Sequence, residues 1–557
     1  MITIENLTFR YNGSLVHALQ NVNMQINSGE FVLISGKSGS GKTSLCRVIN
    51  GLIPHFHGGM ISGTVNVDGL SPIDTSPGIM STKVGMVFQD PENQLVTSDA
   101  GHEICFGMEN LAFPHDLITE RLENVLEMLD ISHLRNRPFR EMSGGEKQRV
   151  AIASVLALRP EVLILDEPTS ELDPEGYNKI LSCLHFLNRE LGLTVIVVEH
   201  RLDRFIEYAD RLIVIEDGQI ILDCPARLAM AEHGDCLQSC GIGLPPVVQL
   251  HQKLKERGAL LASVPLSVDE ASRVFKEVFN KPLSIITDNN GVTGSVPAVE
   301  MDGVSFYYSK GIKAIDNVTL RIDRGEFVAL MGCNASGKTT LVKLANGLIS
   351  PDTGTIKILG QNASNNTVAE LAASVGVVFQ NPGDHLFTDT VEDEIAFGLK
   401  LRGLSAGQIM ERVNAMLCRF NLEHCHGRSP HDLSMGEKQR LALASIMAYN
   451  PPVLLLDEPD RGSEERARQY LISMLGDYSS TGNTVIMVTH DVELVAGFAG
   501  RVIMMDKGKI IFDGDKHEVL PESMLYSPQI NRLVKRYKHQ GVSSKFLTAD
   551  EVVNAIK

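Results

Sequence analysis

Two stretches of this chain lie over one another without a gap. "ALQNVNMQINSGEFVLISGKSGSGKTSLCRVINGLIP" begins at Ala18 and "AIDNVTLRIDRGEFVALMGCNASGKTTLVKLANGLIS" begins at Ala314. Later pairs keep nearly the same separation: Gln89 and Gln380, Ser143 and Ser434, and Glu167 and Glu458 are 291 positions apart, and His200 and His490 are 290 apart. So long a period marks a duplicated domain, whereas the units of a solenoid run to roughly 20–50 residues. A chain of 557 residues is also too long for one ordinary core.

Each half opens with strand-like alternation, Ile2 and Ile4 and then Val22, Met24 and Ile26 in the first. The apolar run "FVLIS" or "FVALM" then leads into a glycine-rich turn and a helix. Leu122, Val125, Leu126 and Leu129 are spaced as one face of a helix, and Val413, Met416, Leu417 and Phe420 repeat the spacing, so both stripes are read as core. The runs "VLILDE" and "VLLLDE", followed by "TVIVVEH" and "TVIMVTH", are those of buried strands. The fold class is α/β with a mostly parallel sheet in each half.

The expected domains are 1–240, an extension and linker at 241–296, 297–530, and a tail at 531–557. The linker carries Pro245-Pro246, the helical-looking "LHQKLKERG" and the turn-rich "TDNNGVTGS". The basic "KRYKHQ" in the tail fits either a short docking helix or a solvated end.

Composition narrows the partners. With 43% hydrophobic and 21% charged residues the chain reads as a soluble globular protein. The start "MITIENLTFR" has no basic region followed by an apolar run, and no stretch of eighteen uninterrupted apolar residues occurs, so the expectation is a chain neither secreted nor membrane-spanning by itself. A net charge of -17 argues against nucleic acid, whose phosphates attract clustered Lys and Arg. Nine mostly isolated cysteines suggest reduced thiols. The tightest group, His424-Cys425-His426, lacks paired C-x-x-C spacing, and adjacent side chains cannot all face one ion, so no metal site is expected there.

The chemistry sits in three motifs, each present twice. Gly36, Lys37, Ser38, Gly39, Ser40, Gly41, Lys42 and Thr43 fit G-x-x-x-x-G-K-[ST], as do Gly332, Cys333, Asn334, Ala335, Ser336, Gly337, Lys338 and Thr339. Glycines let the backbone wrap phosphates, the helix start offers N–H groups, the lysine reaches the terminal phosphates, and Thr43 or Thr339 can hold magnesium. Asp166-Glu167 and Asp457-Glu458 end apolar strands, where α/β proteins place ligands. The aspartate suits magnesium, directly or through water, and the glutamate suits deprotonating a water that attacks the γ-phosphate. In "MSGGEKQR" and "LSMGEKQR", Ser143 or Ser434 can cap a helix with Glu146 or Glu437 at the third helical position, leaving a partly positive end to face a phosphate.

The whole set resembles the ATP-binding cassette (ABC) family across almost all of both halves. The resemblance implies tandem P-loop NTPase domains, each with an antiparallel β part and a helical subdomain beside its parallel core, and ATP and Mg2+ as cofactors. It implies that the two cassettes pair head to tail, with ATP between one P-loop and the other signature motif, formed by Ser143, Gly144, Gly145 and Glu146 or by Ser434, Met435, Gly436 and Glu437. By the same resemblance Tyr11 and Tyr308 stack on adenine. Gln89 and Gln380 sense magnesium and contact the transporter, with Thr43, Asp166, Thr339 and Asp457 the other metal-side residues. Glu167 and Glu458 are the catalytic glutamates, His200 and His490 the γ-phosphate switch histidines, and "SELD" at Ser170–Asp173 the D-loop.

Within that family the chain is most similar to the fused ATPase of energy-coupling-factor (ECF) importers. "GLIPHFHGGMISGTVNVDG", "VFQDPENQLVTSD", "VFQNPGDHLFTDTVEDEIAFG", "GLPPVVQL" and the doubled "GEKQR" carry the likeness. It implies a peripheral position on the cytoplasmic face of the cell membrane, with an integral coupling subunit and a substrate-capturing membrane subunit as partners. Vitamins, thiamine precursors, cobalt and nickel all stay open as cargo. The alternatives are a soluble tandem-cassette ATPase acting on ribosomes or nucleic acid, which predicts a lysine-rich arm or an N-terminal cysteine cluster that this chain lacks, and the ATPase of a sugar importer. Met435 replaces the glycine found at Gly144, and Glu464 stands where the first half has Asp173. Head-to-tail geometry sends both departures to the site built on Lys42 and Glu167, which is expected to turn over more slowly.

Overall fold

The computed structural model describes residues 1–169, 172–284, 296–308, 311–461 and 463–556. Two compact units result, Met1–Lys281 with the segment Glu464–Arg466, and Pro282–Ser463 with Ala467–Lys557.

In the first unit β1 (Ile2–Tyr11) and β2 (Leu19–Ile26) run antiparallel, Ile2 facing Ile26 and Ile4 facing Met24. Alternate side chains of a strand share a face, and Ile2, Ile4, Val22, Met24 and Ile26 are accordingly all buried. After β3 (Phe31–Ser35), β4 (Gly59–Val67) returns to the other edge of β1, giving the order β2-β1-β4. Then come β5 (Val84–Val87), β6 (Val162–Asp166), β7 (Thr194–Val198), β8 (Arg211–Glu216) and β9 (Gln219–Pro225). With β3 they form a six-stranded sheet of order β5-β6-β7-β3-β8-β9, parallel except for β9. Every residue of β3, β6 and β7 is buried, which is why these strands read as unbroken apolar runs.

Between β5 and β6 the chain leaves the sheet for the helices Ala100–Asn110, His115–Met128 and Gly144–Leu156. The stripe Leu122, Val125, Leu126 and Leu129 is buried there, as its spacing predicts.

The second unit repeats the plan with β10 (Pro297–Tyr308), β11 (Ile312–Asp323), β12 (Phe327–Gly332), β13 (Thr353–Ile358), β14 (Gln361–Asn362), β15 (Val375–Val378), β16 (Val453–Asp457), β17 (Thr484–Val488), β18 (Arg501–Asp506) and β19 (Lys509–Asp515). Its antiparallel sheet has the order β11-β10-β13-β14 and its main sheet β15-β16-β17-β12-β18-β19. The helices Val391–Leu401, Ala406–Arg419 and Met435–Met447 interrupt the sheet as in the first unit. Val413, Leu417 and Phe420 are buried and Met416 is half-buried.

The division between units falls after Lys281, inside the stretch expected to be extension and linker. The helix Pro246–Glu256, which contains "LHQKLKE", buries Val247, Val248, Leu250 and Leu254. Residues 531–557, expected as a tail, contain most of the helix Gln529–Lys535 and all of Ala549–Ala555, with Leu533, Val534, Val552 and Val553 buried. The two ends also match each other: Ser267 and Thr548 each cap a helix by accepting the N–H of Glu270 or Glu551 at 3.3 Å. The turn-rich "TDNNGVTGS" lies outside the described residues.

Candidate functional site: two phosphate-binding turns with paired carboxylates

In each unit a buried strand ends in a tight turn that starts a helix, β3 before Lys42–Ile49 and β12 before Lys338–Ala345. Backbone geometry demands glycine here. Gly36 and Gly41 have φ of 143° and 106°, and a Cβ would lie 2.1 Å from the Ile215 carbonyl oxygen at the first and 2.3 Å from that of Ala18 at the second. Gly332 and Gly337 repeat this with φ of 151° and 104°. Such a turn brings N–H groups close to a phosphate without side chains intervening.

Lys42 and Lys338 are buried at the helix starts. Lys42 Nζ donates to the carbonyls of Gly36 (2.8 Å) and Lys37 (2.7 Å), and Lys338 Nζ to those of Gly332 (2.9 Å) and Cys333 (2.8 Å). Burial pulls the Lys42 pKa down. These carbonyls hold each ammonium in place at the start of its helix.

Thr43 Oγ1 donates to Asp166 Oδ2 and Thr339 Oγ1 to Asp457 Oδ2, each at 2.8 Å. Burial pushes Asp166 up to about 6, with the Thr43 hydrogen bond opposing and the charge of Glu167 adding. Asp457 is raised by the same cause. A buried carboxyl beside a hydroxyl, reluctant to ionise alone, fits a site meant for a divalent cation, whose charge reverses that penalty. Thr43 and Asp166, or Thr339 and Asp457, would hold Mg2+ there, and the ion would draw charge from the phosphate oxygens.

Gln89 Nε2 donates to Glu167 Oε2 at 2.8 Å, and His200 Nε2 lies 3.0 Å from Glu167 Oε1. The second unit repeats both contacts, Gln380 to Glu458 Oε2 at 2.8 Å and His490 to Glu458 Oε1 at 2.7 Å. Burial pushes the Glu458 carboxyl up, but His490 and neighbouring charges prevail and its pKa is lowered. Both glutamates have left-handed backbone, φ 49° and 51°. Holding a residue other than glycine there costs of order 1 kcal/mol, and both copies keep it at the same position. The arrangement fixes a carboxylate through both oxygens, as a group that accepts a proton from an attacking water requires.

Tyr11 and Tyr308 end β1 and β10, each edge-on to a phenylalanine. The Tyr11 hydroxyl meets Ser44 Oγ at 2.9 Å and that of Tyr308 meets Thr340 Oγ1 at 3.3 Å, which places both rings beside the helix that follows their own phosphate turn.

Both signature helices carry the expected capping box. Ser143 N–H donates to Glu146 Oε2 (2.7 Å) and Glu146 N–H to Ser143 Oγ (3.3 Å); Ser434 and Glu437 do the same at 2.8 and 3.4 Å. Met435 is exposed at the first position of its helix. Of the D-loop residues, Ser170, Glu171 and Gly462 lie outside the described residues. Asp173 caps the helix Pro174–Arg189 by accepting the Gly176 N–H at 2.8 Å, and Glu464 directly precedes the helix Glu465–Ser480.

Three supporting contacts escape sequence reasoning. Lys37 pairs with Glu216, which raises its pKa. Gln439, buried in the "GEKQR" motif, donates to the Pro459 carbonyl at 2.6 Å and ties the signature helix to the residue after Glu458. Glu199 accepts the His200 N–H at 2.9 Å and the Thr169 hydroxyl at 2.7 Å, so it shapes the turn that presents His200. Its only signal is its place before the histidine in "VVEH", where the second half has Thr489.

The fold and these residues define a P-loop ATPase with two nucleotide-binding cassettes, acting on ATP with Mg2+. The chain belongs to the ABC transporter family, which it matches over residues 19–170 and 315–461. It is 37% identical to a protein of Caldanaerobacter subterraneus subsp. tengcongensis across 100% of this chain and 99% of the relative, and 36% identical to one of Methanosarcina mazei across 97% and 94%. Both relatives are provisionally named ABC transporter ATP-binding proteins. A solved structure of CbiO1 from Clostridium perfringens, part of the ABC transporter complex CbiONQ, is 30% identical, covering 43% of this chain and 96% of its own, with a TM-score of 0.39.

Proposed function

We propose that this ATPase is the energy-coupling subunit of an ECF-type importer for a vitamin or metal ion. One observation carries the reading: a single chain holds the complete ATP-handling set twice, while no helix among the described residues is long and apolar enough to cross a membrane. Such a chain supplies a paired ATPase and needs other chains to supply the membrane path. The names of its relatives and the ECF-like stretches around Gly51, Val87 and Val377 support the reading. The two cassettes close head to tail on ATP, and Gln89 and Gln380 pass the closure to an integral coupling subunit, beside which a second membrane subunit captures the cargo.

Membrane fractionation tests this. Expressed alone, the chain stays in the supernatant; co-expressed with its integral partners, it sediments with membranes and co-purifies with both. Co-fractionation with ribosomes, or tight membrane binding by the chain alone, would reject the proposal.

A further inference from the structure

Away from the ATP-handling turns, His424, Cys425 and Glu437 form the one group of metal-ligating side chains singled out among the described residues, their ligand atoms all within 4.8 Å of one another. His424 and Cys425 lie in a short 3-10 turn, Glu423–Cys425, and Glu437 lies in the first turn of the signature helix. The third member of the sequence triplet, His426, leaves the group, its Nδ1 3.7 Å from Glu392. The objection that adjacent residues cannot all face one ion therefore holds for His426 alone. The missing ligand comes from twelve residues further along the chain.

The two oxygens of Glu437 divide their work. Oε2 accepts the Ser434 N–H (2.8 Å) and hydroxyl (2.6 Å), which caps the helix. Oε1 faces His424 Nε2 at 3.0 Å and Cys425 Sγ at 3.4 Å. In the first unit the same oxygen of Glu146 meets the Arg137 guanidinium at 3.1 Å, and the position of Cys425 is held by the buried Leu134. Both units have a histidine at the preceding position, His133 and His424, but the second unit replaces the leucine by a thiol and sets the imidazole and the thiol on this carboxylate where the first unit sets a guanidinium. Arg428, which corresponds to Arg137, donates instead to the Asp432 carbonyl at 3.1 Å.

We propose that His424 Nε2, Cys425 Sγ and Glu437 Oε1 bind a zinc-class divalent cation, with water as the fourth ligand. Nitrogen, thiolate and carboxylate are the donors such an ion prefers, and tetrahedral bonds of roughly 2.0–2.3 Å set ligand atoms roughly 3.3–3.8 Å apart, so the two contacts to Glu437 need only a small spread and the His424–Cys425 pair, within 4.8 Å, closes by at most about 1 Å. The thiol proton passes to solvent as the ion binds, and the positive charge takes the role that Arg137 has in the first unit. Oε2 goes on capping the helix. The bound ion ties the 3-10 turn to the start of the second signature helix, and that helix alone gains a metal-dependent anchor. His424 is exposed, so an ion arriving from solvent meets it first.

The test uses the reduced full-length chain without nucleotide, with Zn2+ titrated in competition with a chromophoric chelator. One tight Zn2+ per chain is expected, and His424→Gln and Cys425→Ala should each weaken it beyond the roughly 10–100-fold typical of losing a supporting partner. Cys418→Ser and His426→Gln should bind as the parent does. Cobalt supplies a signature independent of affinity: a thiolate charge-transfer band in the parent that Cys425→Ala abolishes. Since His424 is at the surface, its variant tests the site without disturbing the core. Absence of a tight site in the parent, parent-like binding by both His424→Gln and Cys425→Ala, or loss with His426→Gln instead would overturn the proposal.

Discussion

Ala335 has φ of 60° at the P-loop position where the first half has Gly39, whose φ is 76°. A Cβ built on Gly39 meets nothing within 4 Å, so the difference between the turns is conformational and not steric. An alanine in the left-handed region is strained by about 1 kcal/mol relative to glycine. Ala335→Gly is therefore expected to raise the melting temperature of the nucleotide-free chain, and an unchanged or lower value would refute the strain. Asp166 carries a pH-dependent cost. Its folded pKa of about 6 stands above the ordinary 3.8, so the folded chain holds the proton more tightly, and stability falls as pH rises through that window. Asp166→Asn removes the cost: the variant should melt higher than the parent at pH 8, by at most about 3 kcal/mol in stability, with the gap shrinking toward pH 4. It should also lose Mg2+-dependent turnover at this site. A gap of equal size at both pH values would contradict the assignment.

At the scale of elements, strand, turn and helix act as one device. Each P-loop lysine, Lys42 or Lys338, puts a buried positive charge at the helix start inside a turn whose backbone offers neutral donors, and the first turn's other lysine, Lys37, is engaged by Glu216. Losing a charge-assisted contact costs about 1.5–3 kcal/mol, or roughly tenfold or more in affinity. Lys42→Ala and Lys338→Ala should each weaken nucleotide binding by that factor in their own half, as measured by fluorescent-nucleotide titration. Parent-like binding by both single variants would show that the lysines do not face phosphate. The signature helices make a different point. Gly144 is absent from the glycines with positive φ, and Met435 starts a helix whose capping box is intact. Backbone strain therefore does not separate the two copies, and any functional difference must come from the Met435 side chain, which is 64% exposed.

For the molecule as a whole, the proposed head-to-tail pairing predicts two sites of unequal rate. In the proposed pairing the Met435 and Glu464 departures would meet the P-loop of Lys42, and losing one well-aimed donor costs about 10²-fold in rate. Glu458→Gln should accordingly remove most steady-state hydrolysis and Glu167→Gln noticeably less, while Ser143→Ala should harm turnover more than Ser434→Ala. ATPase assays on the four variants decide it. A larger loss from Glu167→Gln would reverse the ranking, and equal losses would remove the asymmetry.

Much of this was legible before any coordinates. The repeat, the glycine turns, the buried strands and the capping boxes follow from local rules: φ preferences, side-chain periodicity, and hydrogen bonds between residues three apart. Those rules act within a few residues, so a linear sequence displays them. Tertiary structure alone decided the rest. That Gln89 and His200 grip opposite oxygens of one glutamate depends on β5, β6 and β7 lying side by side, and those strands come from distant parts of the chain. The shift of Asp166 arises from burial that only the assembled sheet creates. Folding of the expected tail into helices rests on apolar contacts that its polar, basic composition conceals. Above all, the sequence shows His424-Cys425-His426 as three neighbours, whereas the fold discards one and brings in Glu437, because a helix start and a 3-10 turn twelve residues apart meet only in three dimensions.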